Sequence, residues 1–291
     1  MTDKEHKKIT IFYFSGTGNT WWAAKEFSKI AEAHGDSADI YSIEKKESWD
    51  ENFIKERLVS SDAIGFAYPI YGSTMPNNLW DFLDRLIEIR NSESSLPEKR
   101  GFVFTTMSMG SGDGALVAGK KLKKAGIDLR NAINLIIDSN CAVPRFPLNP
   151  VSEEKHKQRL TEAAEKLNGF YNELFGRKKH LEGSSIFSRI PGALQRLIVK
   201  AGGDEWLLSI SIDKDRCTKC GICLKNCPTV NFKWAESKDL IETTDSCVYC
   251  LRCYNFCPSN AIMVGKRYAN PDKYNRYHGP TKGFKLKDMQ Q

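Results

Sequence analysis

Eight cysteines in two matching runs carry the strongest chemical signal in this sequence. Cys217, Cys220, Cys223 and Cys227 precede Pro228, and Cys247, Cys250, Cys253 and Cys257 precede Pro258, an internal repeat at an offset of 30 residues. Thiolate is a soft ligand that suits iron–sulfur clusters and zinc. Structural zinc sites pair one Cys-x2-Cys with a second, distant pair or with histidine. Each run here holds a third close cysteine and a fourth before proline, more than zinc requires. Three thiolates at two-residue gaps grip one side of a four-iron cluster, and in the two-cluster arrangement the fourth comes from the other run. The spacing therefore predicts one [4Fe–4S] cluster on Cys217, Cys220, Cys223 and Cys257. It predicts a second on Cys247, Cys250, Cys253 and Cys227. Two zinc ions are the alternative.

A second constellation lies near the start. Ser15-Gly16-Thr17-Gly18-Asn19-Thr20 follows an apolar run, Ile9–Phe14, and opens a helical pattern. Glycines let backbone N–H groups approach an anion, and a helix N-terminus favours negative charge. Ser15, Thr17 and Thr20 add hydroxyls. No Lys-Ser or Lys-Thr pair follows, so this is not a nucleoside-triphosphate loop, and Trp21 stands where a dinucleotide fingerprint needs its third glycine. A capped strand-to-helix turn is the plainer alternative.

The elements that must position these residues read as alternating strands and helices. Strands are expected at Ile9–Phe14, Ala38–Ile43, Ala63–Tyr68, Gly101–Thr106 and Ala132–Ile137. Helices are expected at Asn19–Ala33, Asn77–Ile89, Ala115–Ala125 and Ser152–Phe175. This alternation argues for an α/β fold, a doubly wound five-stranded parallel sheet with ligands at the carboxyl ends of its strands. Composition then changes. Residues 179–205 form a basic linker whose apolar residues recur at helical spacing. It reads as a docking helix interrupted at Pro191-Gly192, with a membrane-surface helix as the alternative. Residues 206–291 hold the cysteine runs and a Lys/Arg-rich tail from Lys266 that reads as a solvated extension, docking onto an acidic partner being the alternative.

The two constellations carry two resemblances. Residues 207–266 resemble a bacterial 2[4Fe–4S] ferredoxin, a small α+β domain carrying one electron per cluster. Residues 9–175 resemble a flavodoxin, with SGTGNT in the place of the loop that binds the phosphate of FMN. That resemblance implies a 1–178 FMN-binding domain and a ring site in the loops after strands three and four. The first loop offers Tyr68, Pro69, Tyr71 and Gly72. The second offers Thr105, Thr106, Met107 and Gly112. Core packing for the tyrosines and an ordinary turn for Gly72 are the alternatives. The whole chain resembles the flavodoxin–ferredoxin fusions called EFR1-family ferredoxins. This implies an electron-transfer protein with FMN and two [4Fe–4S] clusters, served by redox partner proteins as donor and acceptor. A flavin reductase acting on a small organic substrate is the second reading. Many flavodoxins are acidic, whereas this chain of 291 residues has a net charge of +7, so their usual docking logic is not carried over.

Composition sets the outer bounds. Charged content of 27% and hydrophobic content of 41% suit a folded chain. No apolar run approaches the ~20 residues of a membrane span, and the Lys-rich start lacks a signal-peptide core. A cytoplasmic location is expected, where clustered thiols bind metal rather than form disulfides. The excess charge alone does not indicate nucleic acid; a zinc-stabilised nucleic-acid binder is the third, remote reading. Cys141, alone beyond the fifth strand, reads as a packed small residue or a reactive thiol beside the flavin.

Overall fold

The computed structural model describes residues 6–237 and 240–290, so parts of the expected first and last domains (residues 1–5, 238, 239 and 291) lie outside the described residues. The chain begins with β1 (Lys8–Tyr13), α1 (Asn19–Ala33), β2 (Ser37–Ser42), α2 (Glu51–Ser60) and β3 (Ala63–Pro69). It continues with α3 (Asn77–Ser92), β4 (Lys99–Met107), α4 (Gly119–Lys124) and β5 (Ile127–Ile136). A hairpin of β6 (Ala142–Val143) and β7 (Phe146–Pro147) precedes α5 (Glu153–Glu173) and β8 (His180–Leu181).

Strands pair in the order β2-β1-β3-β4-β5-β8, every neighbour parallel. The first five give the flavodoxin-like order, with its switch point between β1 and β3. Parallel strands covered on both faces are apolar throughout. Thus β1 sends Phe12 into one core with Leu79, Phe82 and Leu86 of α3. Ile11 and Tyr13 enter the opposite core with Phe27 of α1 and Leu167 of α5. The sixth strand is a two-residue addition from the linker, absent from the sequence reading. So is α2, which Asp50 caps by accepting from Phe53 N at 2.9 Å. The expected helix at Ala115–Ala125 forms only as a 3₁₀ turn, Gly114–Leu116, followed by the short α4.

The linker differs from expectation in two ways. Its helix α6 (Ile186–Ile198) runs through Pro191 without stopping. Its apolar residues face solvent, while small and polar ones dock. A kinked turn and α7 (Asp204–Leu208) lead to the cysteine-bearing part. That part consists of β9 (Ile210–Ile212), α8 (Ile222–Asn226), β10 (Phe232–Trp234), β11 (Ile241–Thr243), α9 (Arg252–Asn255) and β12 (Ile262–Val264). β9 pairs antiparallel with β12, and β10 with β11. The repeat is visible in the backbone. Positive φ recurs at Lys219 and Tyr249, Gly221 and Leu251, and Val230 and Asn260, each pair separated by the sequence offset.

The expected solvated tail is a correction. Residues after Lys266 fold back over the first part, because rings alternate with its lysines and can be buried while the charges stay out. Trp21 and Phe284 have ring centroids 5.4 Å apart. The Tyr277 hydroxyl donates to Asn19 Oδ1, and Tyr13 donates to the Met289 carbonyl at 3.1 Å. His156 binds the Asp138 carboxylate through Nδ1 at 3.0 Å and the Pro280 carbonyl through Nε2 at 2.7 Å.

Two acceptors on one imidazole are both satisfied only when it is protonated. The Asp138 hydrogen bond raises the His156 pKa above its usual value, against the opposing effect of burial. The clamp therefore contributes stability fully below about pH 6.5, and that contribution is lost as pH rises through the folded-state value. A His156→Gln variant should melt a few degrees below the parent protein at about pH 6, with the gap narrowing toward about pH 9. Melting curves giving the same gap at both values would refute the clamp.

Candidate functional site

The hydroxyl-rich loop lies at the carboxyl end of β1 and leads directly into α1. Gly18, at φ 105°, occupies the N-cap and brings no capping side chain, and the first turn of α1 holds no acidic residue. Such a helix start is suited to an external anion. Ser15, Thr17 and Thr20 are buried. Ser15 Oγ accepts from Gly18 N at 3.1 Å, and the Thr20 and Thr106 hydroxyls meet at 2.7 Å. Asn140 Nδ2 donates to Thr17 Oγ1 at 3.1 Å.

A cavity of about 250 Å³ opens beside this loop. Of the residues expected to hold the cofactor, Ser15, Gly16, Thr17, Asn19, Thr20, Pro69, Tyr71, Gly72, Thr106 and Met107 line it. Four do not. Gly18 faces the tail, where an added Cβ would meet Pro280 Cδ at 2.6 Å. Tyr68 is buried in the core and donates to the Gly114 carbonyl at 3.1 Å. Thr105 is buried too, donating to Asn134 Oδ1 at 2.8 Å. Gly112 packs against α6, with Gly192 Cα 2.8 Å from where its Cβ would lie. For Tyr68 the core-packing alternative is what forms. Gly72 and Ser73, both at positive φ, make the centre of a tight turn closed by reciprocal Tyr71–Thr74 hydrogen bonds.

Several wall residues went unread in the sequence. Asp138, Ser139 and Asn140 enter from the end of β5, Val199 from the linker, Leu207 from α7, and Tyr249 and Leu251 from the second cysteine run. Cys141, expected beside the flavin, does line the cavity, as do Phe146 and Leu148 of the 144–150 segment, which the sequence also placed as a wall of that pocket. Of the unread residues, only those at the end of β5 had a readable signal, since ligands bind outside the carboxyl ends of such strands.

The cysteines gather around two smaller cavities. One is lined by Cys217, Cys220, Cys223, Cys253 and Cys257. The other is lined by Cys227, Cys247, Cys250 and Cys253. Cys227 Sγ accepts from Asn231 N at 3.2 Å, and Cys257 Sγ from Ala261 N at 3.3 Å, repeating the same contact in each half. Among the described residues, no three His, Cys, Asp or Glu side chains converge on a single-ion site. Each cysteine set instead surrounds a void. Burial pushes the Cys223 and Cys250 thiols up to about 11 and Cys247 up to about 12. Buried thiolates therefore need cationic compensation, which a bound metal centre would supply.

The large cavity and the second cysteine set are adjacent. A Cβ on Gly16 would meet Tyr71 Oη at 2.6 Å and the Cys250 carbonyl at 3.0 Å. Burial, reinforced by Cys250, pushes the Tyr71 phenol well above its usual value, and its oxygen is buried without a hydrogen-bond partner. Asn140 Nδ2 reaches the Cys250 carbonyl at 3.1 Å. Arg252, 2% exposed, ties the parts together. It donates to the Ser15 and Gly16 carbonyls at 2.7 and 2.8 Å and to Asn226 O at 2.8 Å. Both Glu44 oxygens receive it, at 2.5 and 2.7 Å. Burial works against this guanidinium and Glu44 more than offsets it, so it stays charged.

Comparison with known proteins matches residues 209–258 to the 4Fe-4S dicluster domain family. A ferredoxin of Methanothermococcus thermolithotrophicus is 34% identical over 58 residues, which are 19% of this chain and 97% of that protein. An archaeal-type glutamate synthase [NADPH] of Dehalococcoides mccartyi is 38% identical over 64 residues, 22% of this chain but only 12% of the synthase. Among solved structures, Megasphaera elsdenii flavodoxin aligns at 20% identity and TM-score 0.37, covering 54% of this chain and 98% of the flavodoxin. General stress protein 14 of Treponema denticola, solved in complex with FMN, aligns at 16% and 0.40, covering 58% and 99%. The strand order given above is the independent ground for the fold of the first part. Through its cysteine-bearing part the chain belongs to the ferredoxin family, and by joining that part to a flavodoxin-like fold it is a flavodoxin–ferredoxin fusion.

Proposed function

We propose that this chain is an electron-transfer protein that passes low-potential electrons between two [4Fe–4S] clusters and FMN. One observation carries the reading. The cavity beside the phosphate-type loop is walled by Tyr249 and Leu251, the two neighbours of Cys250. A flavin exchanges one or two electrons and each cluster exchanges one, which makes the pair a converter between two-electron and one-electron chemistry. In this reading residues 1–178 hold the flavin, 179–205 connect, and 206–291 hold the clusters. Cys217, Cys220, Cys223 and Cys257 would hold one cluster, and Cys247, Cys250, Cys253 and Cys227 the other. Ser15, Thr17, Asn19, Thr20 and the N-terminus of α1 would receive the phosphate. Tyr71 and the Gly72 turn would lie against the ring. Tyr249 and Leu251 would separate the two sites.

Anaerobically purified protein should contain two clusters' worth of iron and sulfide for each FMN. Chemical reduction should bleach both chromophores. Two zinc ions, or iron without flavin, would overturn the proposal. The donor and acceptor are redox partner proteins in this reading.

The apolar outer wall of the cavity favours a second reading, reduction of a small organic substrate at the flavin. That wall holds Met109, Phe146, Leu148 and Leu207. Turnover of an organic acceptor by the reduced protein, faster than its oxidation by a one-electron protein partner, would select this reading.

A further inference from the structure

We propose that α6 docks this protein on an anionic phospholipid surface, a role separate from electron transfer. An amphipathic helix normally turns its apolar face inward. Here Ile186, Phe187, Ile190, Leu194, Leu197 and Ile198 are between 55% and 87% exposed. At 100° per residue these six span an arc of about 120° on one side of the helix.

The opposite side makes the attachment. Gly192 lies so close to Asp113 that a Cβ would meet Asp113 Oδ1. Arg196 binds the same carboxylate at 2.5 and 3.0 Å and the Ser73 carbonyl at 3.0 Å. Ser73 Oγ donates to Gln195 Oε1 at 2.5 Å. The helix is thus held by small and polar residues, in a pose that keeps the aliphatic stripe outward. The stripe meets the cavity, because Ile198 belongs to both, and exposed Met109 and Phe146 also line that cavity.

Charge identifies the occupant. From Gly183 to Gly203 the sequence has no Asp or Glu, and besides Arg196, which Asp113 pairs, it carries Arg189 and Lys200. Arg189 and Lys200 are exposed. Pairing with a second copy would set this cationic strip against itself. Transient redox partners use small interfaces, with charge complementarity steering the encounter, and six adjacent large apolar side chains do not fit that pattern. A basic helix with a wide aliphatic and aromatic face suits the headgroup boundary of an anionic bilayer, where it lies in the plane without spanning. Among the described residues no helix is long and apolar enough to cross a membrane, which leaves this surface mode open.

The test is co-sedimentation of the full chain, cofactors bound, with phosphatidylcholine vesicles and with vesicles of phosphatidylcholine and phosphatidylglycerol. Binding should be at least about tenfold stronger to the mixed vesicles and should weaken with salt. A Phe187→Ser/Leu194→Ser double variant, which leaves the cavity lining intact, should lose that binding and keep its flavin absorbance. Equal recovery of parent and variant with the mixed vesicles would overturn the proposal. So would a dimer in solution that the double variant converts to monomer, which would assign the face to a second copy.

Discussion

Replacing Arg252 with methionine should detach the cluster-bearing part from the phosphate-type loop. The guanidinium is nearly fully buried and donates to Ser15, Gly16, Asn226 and both oxygens of Glu44. Its removal strands the Glu44 carboxylate and three carbonyls in one step. Breaking a buried ion pair from one side destabilises by about 3–5 kcal/mol, because the remaining charge loses its compensation. The loss should concentrate where the two parts meet, since Arg252 lies between Cys250 and Cys253 while its acceptors Ser15, Gly16 and Glu44 lie on the other part. Reduction of the flavin through the clusters should then slow sharply, with both cofactors still bound. A Glu44→Met/Arg252→Met double variant should recover part of the melting temperature, since apolar pairs often replace buried ion pairs without loss. Transfer should stay slow, because the double variant still lacks the bonds to Ser15 and Gly16. Arg252→Met protein that keeps both its melting temperature and its internal transfer rate would show that this clamp is dispensable.

The legibility of this arrangement divides along physical lines. The cysteine runs were readable because their spacing is a local property, one that the 4Fe-4S dicluster domain family shares over residues 209–258. β1, α1 and β3 were readable because strands covered on both faces carry long apolar runs and helices a periodic stripe. Arg252 was invisible as a clamp. Its partners Ser15, Gly16 and Glu44 are more than 200 residues away, and nothing in a local pattern reports such a contact. Tyr249 and Leu251 sit inside a metal motif, so their second role as cavity wall emerges only from the docking of the two parts. In α6 the local pattern was read correctly as amphipathic but its docking was inverted. Gly192 allows a close approach that a larger residue would forbid, and Asp113 supplies a partner for Arg196, so the polar side became the attached one. The tail misled for the opposite reason. Its lysines dominate composition, while its buried contacts depend on single residues such as Tyr277 and Phe284.

The second large effect concerns the fourth ligand of each cluster. If ligands cross between the runs, Cys257→Ser should remove the cluster on Cys217, Cys220 and Cys223 and about half the iron. The cluster next to the cavity should survive, because its wall, Tyr249 and Leu251, and its fourth ligand, Cys227, are untouched. The flavin should then still accept electrons from the remaining cluster. Cys227→Ser should also remove about half the iron, but from the set that adjoins Gly16 and Tyr71. Flavin reduction by a reduced ferredoxin, a donor too large to enter the cavity, should then fail even though the distant cluster is present. Iron content alone does not separate the two variants; the rate of flavin reduction does. Ligation within each run would invert the result, with Cys257→Ser blocking the flavin and Cys227→Ser sparing it. The cavities favour the crossed outcome, since Cys257 lines the first with Cys217, and Cys227 lines the second with Cys247.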